Sequence, residues 1–519
     1  MKRPLAAVGF SMLITLFILC NAQSMAFAFA AFFASTLCLV LSLAIKKSRQ
    51  TALLPTVFGS VAAACLLLMA FECFVFLPVE KLLVERGKIS AVVLEYPYEN
   101  RDSTRLYFTA KLEAVDGKKE NAKVRLSFPA KPWKKNTPLL PEETKKLEPG
   151  DKITFVGNLY KIAGESDEIH NHFKSKGVCL ASYPLGSVGV EKGSMKNFYT
   201  LLMKERKKAI NQILRSFSAE TSGVVISLLT GDKNYVSSEL YAAYSDSGAA
   251  HLMAVSGLHL SVWIMFVLEI LKKRNALTKK KIVLLMLFTV CIMFFASFGG
   301  SVMRAGFMMI LYLFSELFGE RADSLNSLGF CAICLFLQNP YIAVNAGFLL
   351  SFVSVLTIVL IALPLSETVC LKLKKVRALQ KAIPLLRAVI SSFFISFFIM
   401  TETLPFQIEY FGKVSVVGVL TNLFLLPVVT PMILCCGLYV MFYFLPLVSD
   451  LLLFVGNVSV GYCNAVVKFF SSFDFSSLSF GESAVPFAAV ISIAVAATMT
   501  FILGRLKKRS TTPLFADKF

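Results

Sequence analysis

Runs of roughly 17 to 22 apolar residues recur along this chain, and that is the length a helix needs to cross about 30 Å of hydrocarbon. They start near Leu5, Ala26, Leu53, Leu252, Ile282, Val302, Leu328, Ala346, Val389, Val414, Met432 and Val485, about twelve in all. Such a pattern leaves few alternatives to a polytopic α-helical membrane protein, and a composition that is 56% hydrophobic with 47 phenylalanines agrees. The stretch 451–470 carries polar residues and reads either as a further span or as a helix lying on the surface. Basic clusters mark the cytoplasmic side. Lys2 and Arg3, Lys46, Lys47 and Arg49, Lys272 to Lys281, Lys372 to Arg387 and Arg505 to Arg509 all fall on one side if twelve spans are counted. Both termini are then cytoplasmic, and residues 81–200 lie outside.

Between the third and fourth runs the pattern changes to short β-branched and aromatic segments such as KISAVVLEYPYE, TRLYFTAKLEAV, KVRLSFPA, DKITFVGNLYKI and GVCLASYPLGSVGV. These predict about five strands, enough for a small barrel of the OB type or another small β-domain. Lys81 to Arg215 hold 26 basic and 16 acidic residues. With Arg105, Lys123 and Arg125 as charges and Tyr98, Tyr107, Phe108, Phe128 and Trp133 as stacking faces, this region is a candidate for contact with a nucleic acid. The same surplus suits anionic lipid headgroups. A basic amphipathic helix follows from Met195, and Gly231-Asp232 then cuts short another apolar run.

The segment SGAAHLMAVSGLHLSVW places His251, Ser256, Gly257 and His259 in an otherwise apolar run. On a continuous helix His251, Ser256 and His259 fall within an arc of roughly 140°. Ionisable groups at membrane depth face a partner or a water-filled path. Further polar positions within spans are Asp232, Arg304, Thr403 and Asn422, and Gly299-Gly300, Pro405 and Pro427 are expected to interrupt helices. Arg304 is the best candidate for a phosphate contact, with pairing to Asp232 or Asp323 as the structural alternative. No cofactor site is expected: the CxxC of Cys331 and Cys334 stands alone, four histidines are too few for a two-metal centre, and no Walker A motif occurs.

LLTGDKNYVSSELYAAYSDSGAAHLMAVSGLHLSV, followed by SVMRAGFMM, ERADSLNSLGF, QNPYIAVNAGFLLSFVSVLTI and TLPFQIEYFGKVSVVGVLTNLFLLPVV, resembles the ComEC-type competence family over roughly 196–430. Leu350 departs from a glutamine many members carry there, and the chain ends where larger members continue into a metallo-β-lactamase-like domain. The resemblance implies an inner-membrane channel that carries transforming DNA into the cytoplasm as a single strand, with no ATPase or nuclease site of its own. It also implies a DNA receptor on the outer face, a cytoplasmic helicase-like ATPase, and contacts with membrane lipids; a homodimer is an open possibility. The expected organisation is three N-terminal transmembrane helices (1–80), an extracytoplasmic OB-like β-domain (81–194), amphipathic and broken helices (195–245) and the channel domain (246–519). Alternative readings are a lipid or glycan transporter and an intramembrane serine hydrolase built on Ser256.

Overall fold

The computed structural model describes residues 3–44, 53–99, 105–129, 146–162, 167–272, 278–320, 322–373 and 383–509. Trp133, Lys2, Lys46, Lys47, Arg49, Lys273, Arg274 and part of the run from Lys372 to Arg387 lie outside them. Among the described residues eight helices are long and apolar enough to cross a membrane, and nine if one bent pair counts as a span. The chain is therefore a polytopic α-helical membrane protein, and it divides into two compact units.

The first unit comprises Met1–Ile210 and Gly329–Asn345. Three of the long helices, Pro4–Ala22, Met25–Leu43 and Leu54–Glu80, belong to it. The third carries a π-helical segment at Glu72–Phe76 and leads directly into strands β1 (Val84–Val93), β2 (Tyr98–Glu99), β3 (Arg105–Val115), β4 (Lys118–Lys119), β5 (Lys123–Pro129), β6 (Lys152–Lys161) and β7 (Val178–Glu191). The five longer strands pair β1 to β3, β3 to β5, β5 to β7, β7 to β6 and β6 back to β1. All pairs but β5–β7 are antiparallel, so the sheet closes into a barrel with the OB order. Alternation decides the two faces. In β3, Leu106, Phe108, Ala110 and Leu112 are buried, while Arg105, Tyr107, Thr109 and Lys111 point away from that core. Phe108, Phe128 and Phe155 meet edge to face inside, with centroids 5.1 and 5.7 Å apart.

A buried polar cluster ties this unit together. Lys174, on the short helix Asp167–Ser175, places Nζ 2.9 Å from Glu72 Oε1, and the same ammonium lies over the Phe76 and Tyr341 rings. The Tyr341 hydroxyl donates to Glu72, and Asn339 Nδ2 donates to the carbonyls of Lys174 and Ser175 at 2.8 and 3.2 Å. The first helix packs on the segment from Gly329 with no side chain between the backbones: a Cβ on Gly9 or Gly329 would run into the other helix. Small residues allow that approach where lipid supplies no hydrophobic drive for association.

The second unit comprises Asn211–Leu328 and Ala346–Phe519. Its long helices are Gly300–Phe318, Ala346–Leu373, Gly418–Phe442, Pro446–Ser471 and Glu482–Arg505. Several expected spans fold differently. The runs from Leu252 and Leu328 fall in the shorter apolar helices Gly257–Leu271 and Ser324–Gln338, and that from Ile282 folds as the 17-residue helix Lys279–Phe295. The run from Val389 is a pair, Leu386–Glu402 and Leu404–Phe411, bent by 56°. Residues from Gly418 to Phe442 make one helix through Pro427 and Pro431, so Pro427 does not interrupt as expected, whereas Gly299 and Pro405 do stand at helix starts. Residues 451–470 lie within the single helix Pro446–Ser471, long enough to span.

Candidate functional site

His251, Ser256, Gly257 and His259 are not on one helix, which corrects the continuous arc. Ala250–Met253 form a 3-10 turn, Ala254 is extended at φ −114° and ψ 129°, and the next helix begins at Gly257. The physical reason is a cap. The Ser256 N–H donates to His259 Nδ1 at 3.1 Å, and Ser256 Oγ stands 2.9 Å from the same nitrogen. A side chain three residues into a helix reaching back to the capping residue's N–H is the arrangement usually made by Glu or Gln, here made by histidine. His251 is left on the protein surface, its Nδ1 3.2 Å from the Gly248 carbonyl. His259 is buried, and its Nε2 has no hydrogen-bond partner among the described residues.

Gly257 brings the start of its helix against Arg304. A Cβ at Gly257 would lie 3.1 Å from Arg304 Nη2 and 3.4 Å from Ala305 Cβ. Arg304 is only 5% exposed; its Nε donates to Ser351 Oγ at 2.8 Å, and its Nη1 to Met308 Sδ at 3.3 Å. One turn earlier, Ser301 Oγ donates to the Gly347 carbonyl at 2.9 Å. The beginnings of three helices, Gly257–Lys272, Gly300–Phe318 and Ala346–Thr357, thus meet around one buried guanidinium. Helix N-termini carry partial positive charge and free N–H groups, so this meeting point favours an anion. Just before it, Ser297 and Phe298 both have positive φ, 56° and 50°, a strained entry to the helix that carries Arg304.

Asp232 is committed elsewhere as a cap: its Oδ1 accepts from the N–H and the Nδ2 of Asn234 at 3.1 and 2.8 Å. It adjoins the Ser256 segment through Gly231, whose Cβ position lies 3.6 Å from Val255. Thr403 stands at the bend of the broken pair, its Oγ1 accepting from Gln407 Nε2 at 2.7 Å. Asn422, on the Gly418–Phe442 helix, has a buried Oδ1 with no partner among the described residues. Ser256, Gly257, His259 and Arg304 therefore come together, Asp232 borders them, and Thr403 and Asn422 lie on other helices. Ser351 was missed by sequence reasoning; a hydroxyl one turn into an apolar helix carries no distinctive signal.

On the barrel, Phe108 and Phe128 are core residues, so they offer no stacking face; the strand alternation puts them inside. The outer face instead carries Arg125 at 4.6 Å from both the Tyr107 and Phe173 rings, Arg105 at 5.9 Å from Tyr183, and the pairs Tyr98–Tyr107 and Tyr160–Tyr183. Tyr160 and Tyr183 were not among the expected contacts. Lys123 is exposed at the start of β5.

Comparison with known proteins identifies the competence protein family over residues 228–506, a stretch that contains Asp232, Ser256, His259, Arg304, Thr403 and Asn422. ComE operon protein 3 of Bacillus subtilis (strain 168) is 29% identical over 235 residues, which is 45% of this chain and 28% of that protein. The chain thus matches less than a third of that relative's length. No solved structure matches. With more than half of its residues matched, the chain belongs to the competence protein family.

Proposed function

We propose that this protein conducts DNA, as a single strand, across the bacterial cytoplasmic membrane during natural competence. The observation that carries the reading is Arg304, a buried cation held among three helix beginnings. A phosphodiester entering a low-dielectric passage needs positive charge or oriented donors, and this cluster offers both. Asp232, His251, Ser256, Gly257, His259, Thr403 and Asn422 are taken to line or shape the path. The barrel meets the strand first, through its arginine and tyrosine face. In this reading the termini are cytoplasmic, residues 81–200 are extracytoplasmic, and 246–519 form the channel. The protein is not the motor: inward movement of negative charge against an inside-negative potential costs about 2.3 kcal/mol per charge per 100 mV. A cytoplasmic helicase-like ATPase supplies the work, and a receptor on the outer face delivers the DNA.

The test is entry of labelled DNA into cells that carry Arg304→Gln or Arg304→Lys at equal protein level. Removing one charged contact to a phosphate lowers entry by roughly ten- to a hundredfold. Arg304→Lys keeps the charge and retains more entry than Arg304→Gln. Full entry in Arg304→Gln overturns the assignment. Transport of labelled lipid but not of DNA by membrane vesicles would favour the lipid-transporter alternative.

A further inference from the structure

A cavity of about 400 Å³ lies where the third long helix meets the barrel. That volume is within the range of ligand pockets, roughly 300–1,000 Å³. Val75, Phe76 and Val79 of the helix and Cys179 of β7 give it an apolar floor. At its edge stand Lys111 and Lys123, with Asn121 beside them. The two lysines are direct partners across β3 and β5, so their side chains leave the sheet next to each other. Like charges directly opposite are unfavourable on a sheet. Both are exposed, and neither forms an ion pair with a carboxylate among the described residues. The pair has the arrangement of a bidentate cradle for an anion.

We propose that this cavity binds one anionic phospholipid, its phosphate between Lys111 and Lys123 and an acyl chain over Val75, Phe76 and Val79. Three independent features select that occupant. The floor is apolar, which a nucleotide phosphate alone would not need. The edge is dicationic, which a zwitterionic headgroup fits less well. The floor residues belong to a helix long enough to span the membrane, so the cavity stands at that helix's barrel end, where headgroups are found. The neighbouring Phe74, 82% exposed, extends the apolar surface along the same helix end.

The test uses the full-length protein in mixed micelles containing phosphatidylglycerol or phosphatidylcholine of identical chains, with retained lipid counted by native mass spectrometry. The expected result is one phosphatidylglycerol retained with a preference of roughly tenfold or more over phosphatidylcholine. Lys111→Gln/Lys123→Gln abolishes that preference. Val75→Trp fills the cavity from a lining side chain that is 44% exposed and outside the barrel core, and it removes retention of both lipids. Equal retention of the two lipids, a preference that survives the double lysine change, or full retention in Val75→Trp overturns the proposal. An oligothymidylate that displaces the phosphatidylglycerol would assign the lysines to a nucleic acid and overturns it as well. None of these readouts depends on DNA entry, so the proposal can fail while the transport reading stands.

Discussion

Ser256 and His259 look like a nucleophile and its base when written as AVSGLH, yet their geometry is that of a helix start. His259 Nδ1 is occupied by the Ser256 N–H as well as by its hydroxyl. A cap of this kind contributes about 0.5–2 kcal/mol. Ser256→Ala is therefore expected to lower the thermal midpoint of the purified protein, whereas Ser256→Asp, a residue that also caps helices, keeps it near the parent value. Trp263, two turns into the same helix and packed against Gly437, provides the fluorescence that reports the transition. If Ser256→Asp melts as early as Ser256→Ala, the cap is not what holds this segment. The break before Gly257 was hidden in the sequence because Ala254 and Val255 continue the apolar run; only the unusual histidine three positions after a serine marks it. Arg304, by contrast, stood out at once, since a lone arginine in an apolar run needs a reason. Its partner Ser351 did not, because hydroxyls in membrane helices usually satisfy their own backbone, as Ser354 does with the Leu350 carbonyl.

Elements were legible to the extent that their periodicity was unbroken. All five barrel strands follow from the alternation of apolar residues, and the same parity explains why Tyr107 faces out while Phe108 faces in. Helix ends were less legible where polar caps and not hydropathy set them: Ser256 and Asn339 each stop a reading that composition alone would continue, whereas Gly231-Asp232 marked its own break in the sequence. Pro427 and Pro431 show the converse, since a helix in an apolar setting tolerates proline without breaking. Within the barrel, Asp151 carries a testable pH dependence. Burial by itself raises its carboxyl, but Lys192 Nζ at 2.8 Å and the N–H groups of Glu148 and Gly193, each at 2.9 Å, outweigh burial and hold it below the ordinary carboxylate value. A depressed carboxyl stabilises the fold fully above its unfolded pKa of about 3.9, and that contribution disappears as pH falls through the lower folded value. Protection of the β6 and β7 amides, measured relative to their intrinsic exchange rates at each pH, should therefore fall on acidification in the parent. Asp151→Asn should raise exchange at pH 7 and flatten the acid response; an unchanged acid response in Asp151→Asn would remove the assignment.

At the scale of the molecule, the cluster of Glu72, Lys174 and Tyr341 joins segments that are 102 to 269 residues apart in sequence, and no local pattern announces it. Removing one partner of a buried pair typically costs about 3–5 kcal/mol, whereas replacing both with apolar residues of similar volume is often neutral. Lys174→Met alone should thus destabilise the first unit, and Glu72→Leu/Lys174→Met should recover most of the loss, as read by thermal unfolding in detergent. A double variant no more stable than Lys174→Met would show that the pair's charges are not what holds these segments. The close contact of Gly9 with Gly329 has a further consequence, in the order of biosynthesis. Asn345 follows Ile210 by 135 residues, so the first unit cannot finish assembling until the ribosome has produced a long stretch of the second. At roughly 5–20 residues per second that interval is about 7 to 27 seconds. Until Gly329 is made, late in that interval, the glycine face of the first helix lacks this partner, and the nascent chain depends on the insertion machinery or on lipid to cover it.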